Sequence, residues 1–255
     1  MARFSKRTPS ELTCLRSAGR FLIANESAPE PMHVRAVKPN TSLIFDLDGT
    51  LIDSCPGIGS SLSAAFRSVG RKMPAADLRA AVGPPIRVIA ARIEPTLSEA
   101  ELVQIELMYR TRYDNDGWRE TVLFDGVAET LQALHVAGAS MFIVTNKPRI
   151  PTEKILTQLD LIHLFREVST RDSRTPAYDS KTEMLSDLLQ RYSLDCESTM
   201  MIGDTLEDEK AAAANGLRFL YATYGYGSIK NPRFPISEFS EISTLFATRN
   251  SSRRT

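Results

Sequence analysis

At 255 residues, 42% of them apolar, the chain is long enough for one large domain or two small ones with a substantial core. Its 31 Lys and Arg balance 31 Asp and Glu, which removes the broad basic surface that nucleic acid or an anionic membrane would require. No run approaches the roughly 20 apolar residues of a membrane span, and Cys14, Cys55 and Cys196 lack CxxC spacing, which argues against a disulfide framework or a zinc site and for a reducing compartment.

Taken from the N-terminus, residues 1–40 stand apart. Arg3, Lys6, Arg7, Arg16 and Arg20 face only Glu11 among the first 25 residues, and Pro29, Pro31 and Pro39 follow. That composition belongs either to a mobile extension or to an organelle leader, so the cytoplasm is the expected location unless the segment acts as an address. From Thr41 on, β-prone runs alternate with helical patterns. "SLIFDL" (42–47), "MFIVT" (141–145), "TMMIG" (199–203) and "RFLYAT" (218–223) read as buried parallel strands, with "FREVS" (165–169) a weaker fifth. Apolar residues at helical spacing mark 126–138, 148–161, 180–192 and 205–216, with Gly138 and Gly216 as stops. This alternation predicts an α/β, Rossmann-like parallel sheet core over 41–53 and 122–246. Residues 54–121 break the pattern. Three amphipathic stretches, near 58–69, 85–93 and 98–118, and no convincing strand predict an inserted α-helical cap, which would exclude water and select substrates. The polar stretch 247–255 reads as a flexible tail.

In an open parallel sheet, ligands bind beyond the carboxyl ends of the strands. That rule brings four separate features together: Asp46 and Asp48 after the first strand, Thr145-Asn146-Lys147 after the second, Lys181 at the start of a helix, and Asp204 with Asp208 after "TMMIG". Four converging carboxylates repel one another, and a hard divalent cation held through oxygen resolves the conflict; Mg²⁺ suits a site that also takes phosphate. Asp46 then reads as a nucleophile forming an aspartyl-phosphate. Asp48 reads as the group that protonates the leaving oxygen and later takes a proton from water. Thr145 offers a hydroxyl to the phosphate and Lys181 a positive charge.

Together "DLDGTLIDS", "TNKP", Lys181 and "GDTLED" resemble the four motifs of the haloacid dehalogenase superfamily of phosphatases, over about 41–230. "VGPPIR" (82–87), "LFDGVAETLQAL" (123–134), "VTNKP" (144–148) and "YGYG" (224–227) resemble its phosphoglycolate-phosphatase-like branch. The resemblance implies a Mg²⁺-dependent hydrolase of small phosphate monoesters, phosphoglycolate among them. A nucleotide monophosphatase or pyrophosphatase would use the same core, and a nonhydrolytic phospholigand-binding module is the alternative from another class. The resemblance further implies Asp46 as nucleophile, Asp48 as acid/base, and Asp46, Asp204 and the Asp48 carbonyl as Mg²⁺ ligands. Asp208 would hold metal-bound water, and Thr145, Asn146 and Lys181 the phosphate. Thr182 follows Lys181 where proline is common, which leaves Lys147 open as the phosphate lysine. Arg87, beside the Gly83-Pro84-Pro85 turn, is an anion contact offered by the cap. The expected partner is a small phosphorylated metabolite, with neither nucleic acid nor membrane, and the oligomeric state is not legible.

Other signals carry less. "GIGSSL" (57–62) places Leu62 where a dinucleotide fingerprint needs its third glycine, no GxxxxGK[ST] loop is present, and the three histidines are scattered. Tyr113 and Trp118 read as anchors of a cap helix.

Overall fold

The computed structural model describes residues 41–247. The expectations for 1–40 and for 248–255 lie outside those residues. In chain order, β1 (Ser42–Phe45) and β2 (Ile52–Asp53) are followed by four helices, α1 (Cys55–Ser68), α2 (Leu78–Ala81), α3 (Ile86–Ile93) and α4 (Glu99–Asn115), and a 3-10 turn at Gly117–Glu120. Strands and helices then alternate as far as β7: β3 (Val122–Leu123), α5 (Val127–Val136), β4 (Ser140–Thr145), α6 (Arg149–Gln158), β5 (Glu167–Thr170), α7 (Lys181–Arg191), β6 (Thr199–Gly203), α8 (Leu206–Ala214) and β7 (Arg218–Ala222), followed by β8 (Pro235–Ile236) and α9 (Glu241–Ala247). None of the described helices is long and apolar enough to cross a membrane.

Six strands form one parallel sheet in the order β5-β4-β1-β6-β7-β8. From β1 the chain first builds outward through β4 and β5, then crosses back to β6 on the other side. The order therefore reverses at β1, and a crevice opens beyond its carboxyl end. Alternate residues of β1 serve different layers. Leu43 and Phe45 pack with Leu131, Ile155, Phe239 and Ile242, contributed by α5, α6, the segment before α9, and α9 itself. Ile44 packs on the opposite face with Leu185 and Leu188 of α7 and Ala211 of α8. At about 1.5–3 kcal/mol for each fully buried large apolar side chain, this doubly covered strand is a rigid mount for whatever follows it. The helical stretch has an apolar cluster of its own, built on Leu62, Phe66, Ile89 and Ile105. A capping box starts α4: the Ser98 hydroxyl accepts from Glu101 N, and the Glu101 carboxylate accepts from Ser98 N at 2.8 Å.

All five expected strands are present, the one at 199–203 with its expected bounds and the other four with shifted ends. The first stops at Phe45 rather than Leu47, because the Leu47 carbonyl already turns the chain by accepting from Leu51 and Ile52 N. The antiparallel β2–β3 pair, β8, α2 and α9 were not expected. Two-residue strands and a four-residue helix are too short to show a period.

Candidate active site

Asp46 leaves β1 with its amide still bonded to the Ile202 carbonyl of β6 at 2.9 Å, so the sheet ladder fixes its backbone. Asp204 follows β6. Asp208 lies one turn into α8, in a capping box in which its Oδ2 accepts from Thr205 N at 2.9 Å and from the Thr205 hydroxyl at 2.6 Å. Asp204 therefore stands before the helix, on the strand's end. One carboxylate oxygen from each of Asp46, Asp204 and Asp208 lies within 4.8 Å of the others, and all three residues are buried.

Lys181 bridges two of the trio, Asp46 and Asp208. As the first residue of α7 it sits at the end of a helix where a cation is disfavoured, yet its side chain is 4% exposed. Its Nζ donates to Asp46 Oδ1 at 2.7 Å and to Asp208 Oδ1 at 2.6 Å. Burial alone would lower the lysine's pKa; Asp208 and Asp46 outweigh that and hold it above its ordinary value. Asp46 is pushed well above the usual carboxylate range by burial, only partly offset by Lys181. Burial and the Asp208 charge raise Asp204 to about 6, against hydrogen bonds from the backbone of Tyr226 and Gly227.

The fourth carboxylate stands apart. Asp48 faces Lys147, whose Nζ donates to its two oxygens at 3.0 and 3.2 Å. The separation arises in the turn: Gly49 N donates to the Ile52 carbonyl and Leu47 O takes Thr50, Leu51 and Ile52 N, which leaves the Asp48 carbonyl out of these bonds. Gly49 has φ +86°, and a Cβ there would stand 2.3 Å from Asp204 Oδ2, so both conformation and space require glycine. Two lysines and four carboxylates leave the site two negative charges. With an all-oxygen donor set, that deficit fits one hard divalent cation, and Mg²⁺ matches the residues present.

Thr145, at the tip of β4, is 1% exposed, and its Oγ1 accepts from Lys147 N at 3.2 Å, which leaves its own proton to donate. Asn146 donates from Nδ2 to Glu207 Oε2 at 3.0 Å at the mouth. Arg87 is on α3, paired with Glu99 at the start of α4, and half exposed. The sequence reading missed what holds Asp204. Thr50 donates to its Oδ1 at 3.2 Å, and Tyr226 N and Gly227 N donate to its Oδ2 at 2.7 and 3.2 Å. A Cβ at Gly225 would come within 2.3 Å of Asp204 Cβ and 2.4 Å of the Gly49 carbonyl. The glycine spacing of "YGYG" was a signal of such close backbone approach. Tyr226 also reaches back: its hydroxyl accepts from Ser54 N and donates to Asp53 Oδ1, both at 2.8 Å.

The haloacid dehalogenase-like hydrolase family model matches residues 43–222. The chain belongs to that family. The phosphoglycolate phosphatase of Vibrio cholerae is 33% identical over 192 residues, covering 72% of this chain and 84% of that protein. A protein named tyrosine-protein kinase from Mycobacterium tuberculosis is 34% identical over 197 residues, or 76% of this chain; the match spans 66% of the kinase's length. Among solved structures, that of a predicted phosphoglycolate phosphatase from Haemophilus somnus 129pt superposes with a TM-score of 0.72 at 26% identity, covering 81% of this chain and 97% of that one. Membership in this hydrolase family agrees with the four motifs, and the chain is an enzyme of the haloacid dehalogenase type on its phosphoglycolate-phosphatase-like branch.

Proposed function

We propose that the protein is a Mg²⁺-dependent phosphatase of small phosphate monoesters, working through an aspartyl-phosphate, with phosphoglycolate the first substrate to test. The observation that carries this reading is the division of the carboxylates: Asp46, Asp204 and Asp208 gathered around Lys181, and Asp48 set apart on Lys147. Attack and proton transfer need carboxylates in different states. Asp46, mounted on the sheet, attacks phosphorus with its free oxygen while Lys181 holds the other. Asp48, outside the trio, takes up a proton from solvent, gives it to the leaving oxygen and then accepts one from the water that cleaves the acyl-phosphate. Thr145 and Lys181 orient the phosphoryl oxygens, and Asn146 borders them. Asp46, Asp204 and the Asp48 carbonyl would hold Mg²⁺, with Asp208 beside it, and the bound ion would supply positive charge to the phosphoryl group as its charge develops. Residues 54–121, on this reading, form a cap over a core of 41–53 and 122–246.

A panel of phosphate monoesters, nucleotides and pyrophosphate, assayed with and without Mg²⁺, tests the proposal. Release of phosphate from small monoesters only in the presence of Mg²⁺ is the expected result. Hydrolysis confined to nucleotides or pyrophosphate would move the substrate class, and tight binding without turnover would favour a regulatory module. The kinase relative motivates one added arm, phosphoryl transfer from ATP to a tyrosine peptide.

A further inference from the structure

Asp48 must meet the ester oxygen, yet it stands in a turn and not on a strand of the sheet. Inside that turn Leu47 O accepts from Thr50, Leu51 and Ile52 N, and Gly49 N donates to Ile52 O. Its outside is tied by two phenols from one short segment beyond β7. The Tyr224 hydroxyl donates to the Thr50 carbonyl at 2.9 Å, two residues past Asp48. The Tyr226 hydroxyl closes the far end: it accepts from Ser54 N at 2.8 Å and Cys55 N at 3.3 Å, and gives its one proton to Asp53 Oδ1 at 2.8 Å. Arg79 of α2 takes the other Asp53 oxygen and lies over the Tyr226 ring, 5.6 Å from its centroid. Phe124 packs edge-on against both tyrosine rings, with centroids 5.0 and 6.4 Å away. The segment is pinned in turn to Asp204, whose Oδ2 accepts from Tyr226 N and Gly227 N.

We propose that Tyr224 and Tyr226 are positioning residues for Asp48, holding its turn so that the carboxyl group meets the leaving oxygen while Asp46 attacks. The inference rests on the phosphatase reading and adds to it the two side chains that aim the acid. β1 ends at Phe45 and its ladder still fixes Asp46, whereas Asp48 lies two residues further on. Lys147 grips only its side-chain oxygens. The backbone on either side of the acid's far end therefore leans on hydroxyls that are 174 and 172 residues away in sequence. A misplacement of about 1 Å costs on the order of 10²-fold in rate. Here that cost falls on proton donation, because the nucleophile and the phosphate contacts Thr145 and Lys181 stand on β1, β4 and α7.

The test is the leaving-group dependence of kcat/KM in Tyr224→Phe and Tyr226→Phe, which keep the rings and the backbone amides and delete only the hydroxyls. Ethyl phosphate needs a proton on its leaving oxygen, whereas p-nitrophenyl phosphate releases a stable phenolate without one. Asp48→Asn, assayed with the same two esters, sets the scale of lost acid catalysis. Each tyrosine variant is expected to lower kcat/KM for ethyl phosphate about 10- to 100-fold, with a loss about tenfold smaller for the nitrophenyl ester. Tyr224→Phe, which frees a single carbonyl, decides the matter if Tyr226→Phe melts below the assay temperature. Equal losses for the two esters, accompanied by weaker Mg²⁺ binding in calorimetric titration, assign the tyrosines to Asp204 and overturn the proposal. Wild-type kcat/KM for both esters overturns it as well. No difference between the esters in Asp48→Asn removes the acid and its positioning residues together, and wild-type protein that hydrolyses neither ester overturns the phosphatase reading itself.

Discussion

The carboxylate cluster and the helical stretch are built to opposite rules. Around Asp204 and Asp208 the carboxylate oxygens have partners, from Thr50, Thr205, Lys181 and the amides of Tyr226 and Gly227. Toward the helical stretch the polar atoms go unanswered: of six buried side-chain polar atoms without a partner among the described residues, five belong to Ser54, Ser61, Tyr113, Trp118 and Thr121, which lie in or border that stretch. The difference follows from what each side must do. A site that stabilises developing charge works best when its groups are fixed beforehand, whereas a surface that recognises a ligand needs bonding capacity in reserve.

The most severe way to test the fixed side is to remove its nucleophile. Asp46→Asn keeps the shape and a hydrogen-bond acceptor for Lys181 but cannot form the acyl-phosphate, so turnover should fall by about 10⁴-fold or more. Circular dichroism should show the fold retained, and wild-type turnover in the folded variant would refute the assignment. Gly225→Ala acts on the same side through the backbone. Its methyl group would enter space held by Asp204 Cβ and the Gly49 carbonyl, so the loop that carries Tyr226 N and Gly227 N must retreat from Asp204. Moving a ligand's supporting bonds costs about 10- to 100-fold in metal affinity. Titration with Mg²⁺ should show that loss, and unchanged affinity would mean that Asp204 does not bind the ion.

A smaller effect follows from the charge surplus. Asp204, at about 6 in the folded protein, lies above its unfolded value of about 4, so the folded state holds its proton more tightly. Its stabilising contribution is complete below about pH 4 and is lost as the pH rises through about 6. Asp46 shifts in the same direction, and burial is the leading cause for both. Metal-free protein therefore carries more of the repulsion at pH 7 than at pH 5, and Mg²⁺ relieves it. The rise in melting temperature on adding Mg²⁺ should be several degrees larger at pH 7 than at pH 5; an equal rise at both would show that the carboxylates are already balanced.

The fixed side was also the more legible in sequence, and for a physical reason. Asp46, Asp48, Asp204 and Lys181 stand at the ends of buried strands or at a helix start, where a short apolar run and a polar break mark the position within a residue or two. The parallel topology then says that those ends meet. What sequence could not supply was the aim of side chains beyond the backbone: Asp48 turns to Lys147, a pairing across 99 residues, and Arg87 turns to Glu99 within the helical stretch. Tyr113 was readable as a packing anchor. Its unpaired hydroxyl depends on which atoms fail to surround it, and no local pattern records an absence.

Thr199 separates an unpaired atom kept for a ligand from one merely tolerated. It is the sixth residue of that set, 1% exposed at the start of β6, paired in register with Ser42 at the end of the sheet remote from the crevice. No ligand bound beyond the strands' carboxyl ends could satisfy it, so its hydroxyl is a cost without a return. Thr199→Val keeps the shape and the β-branched preference of a central strand while removing the stranded oxygen. It should raise stability by on the order of 1 kcal/mol in urea denaturation and leave hydrolysis at the wild-type rate. If Thr199→Val were destabilising, the hydroxyl would have a bonding role, and the contrast between the carboxylate cluster and the helical stretch would lose its control.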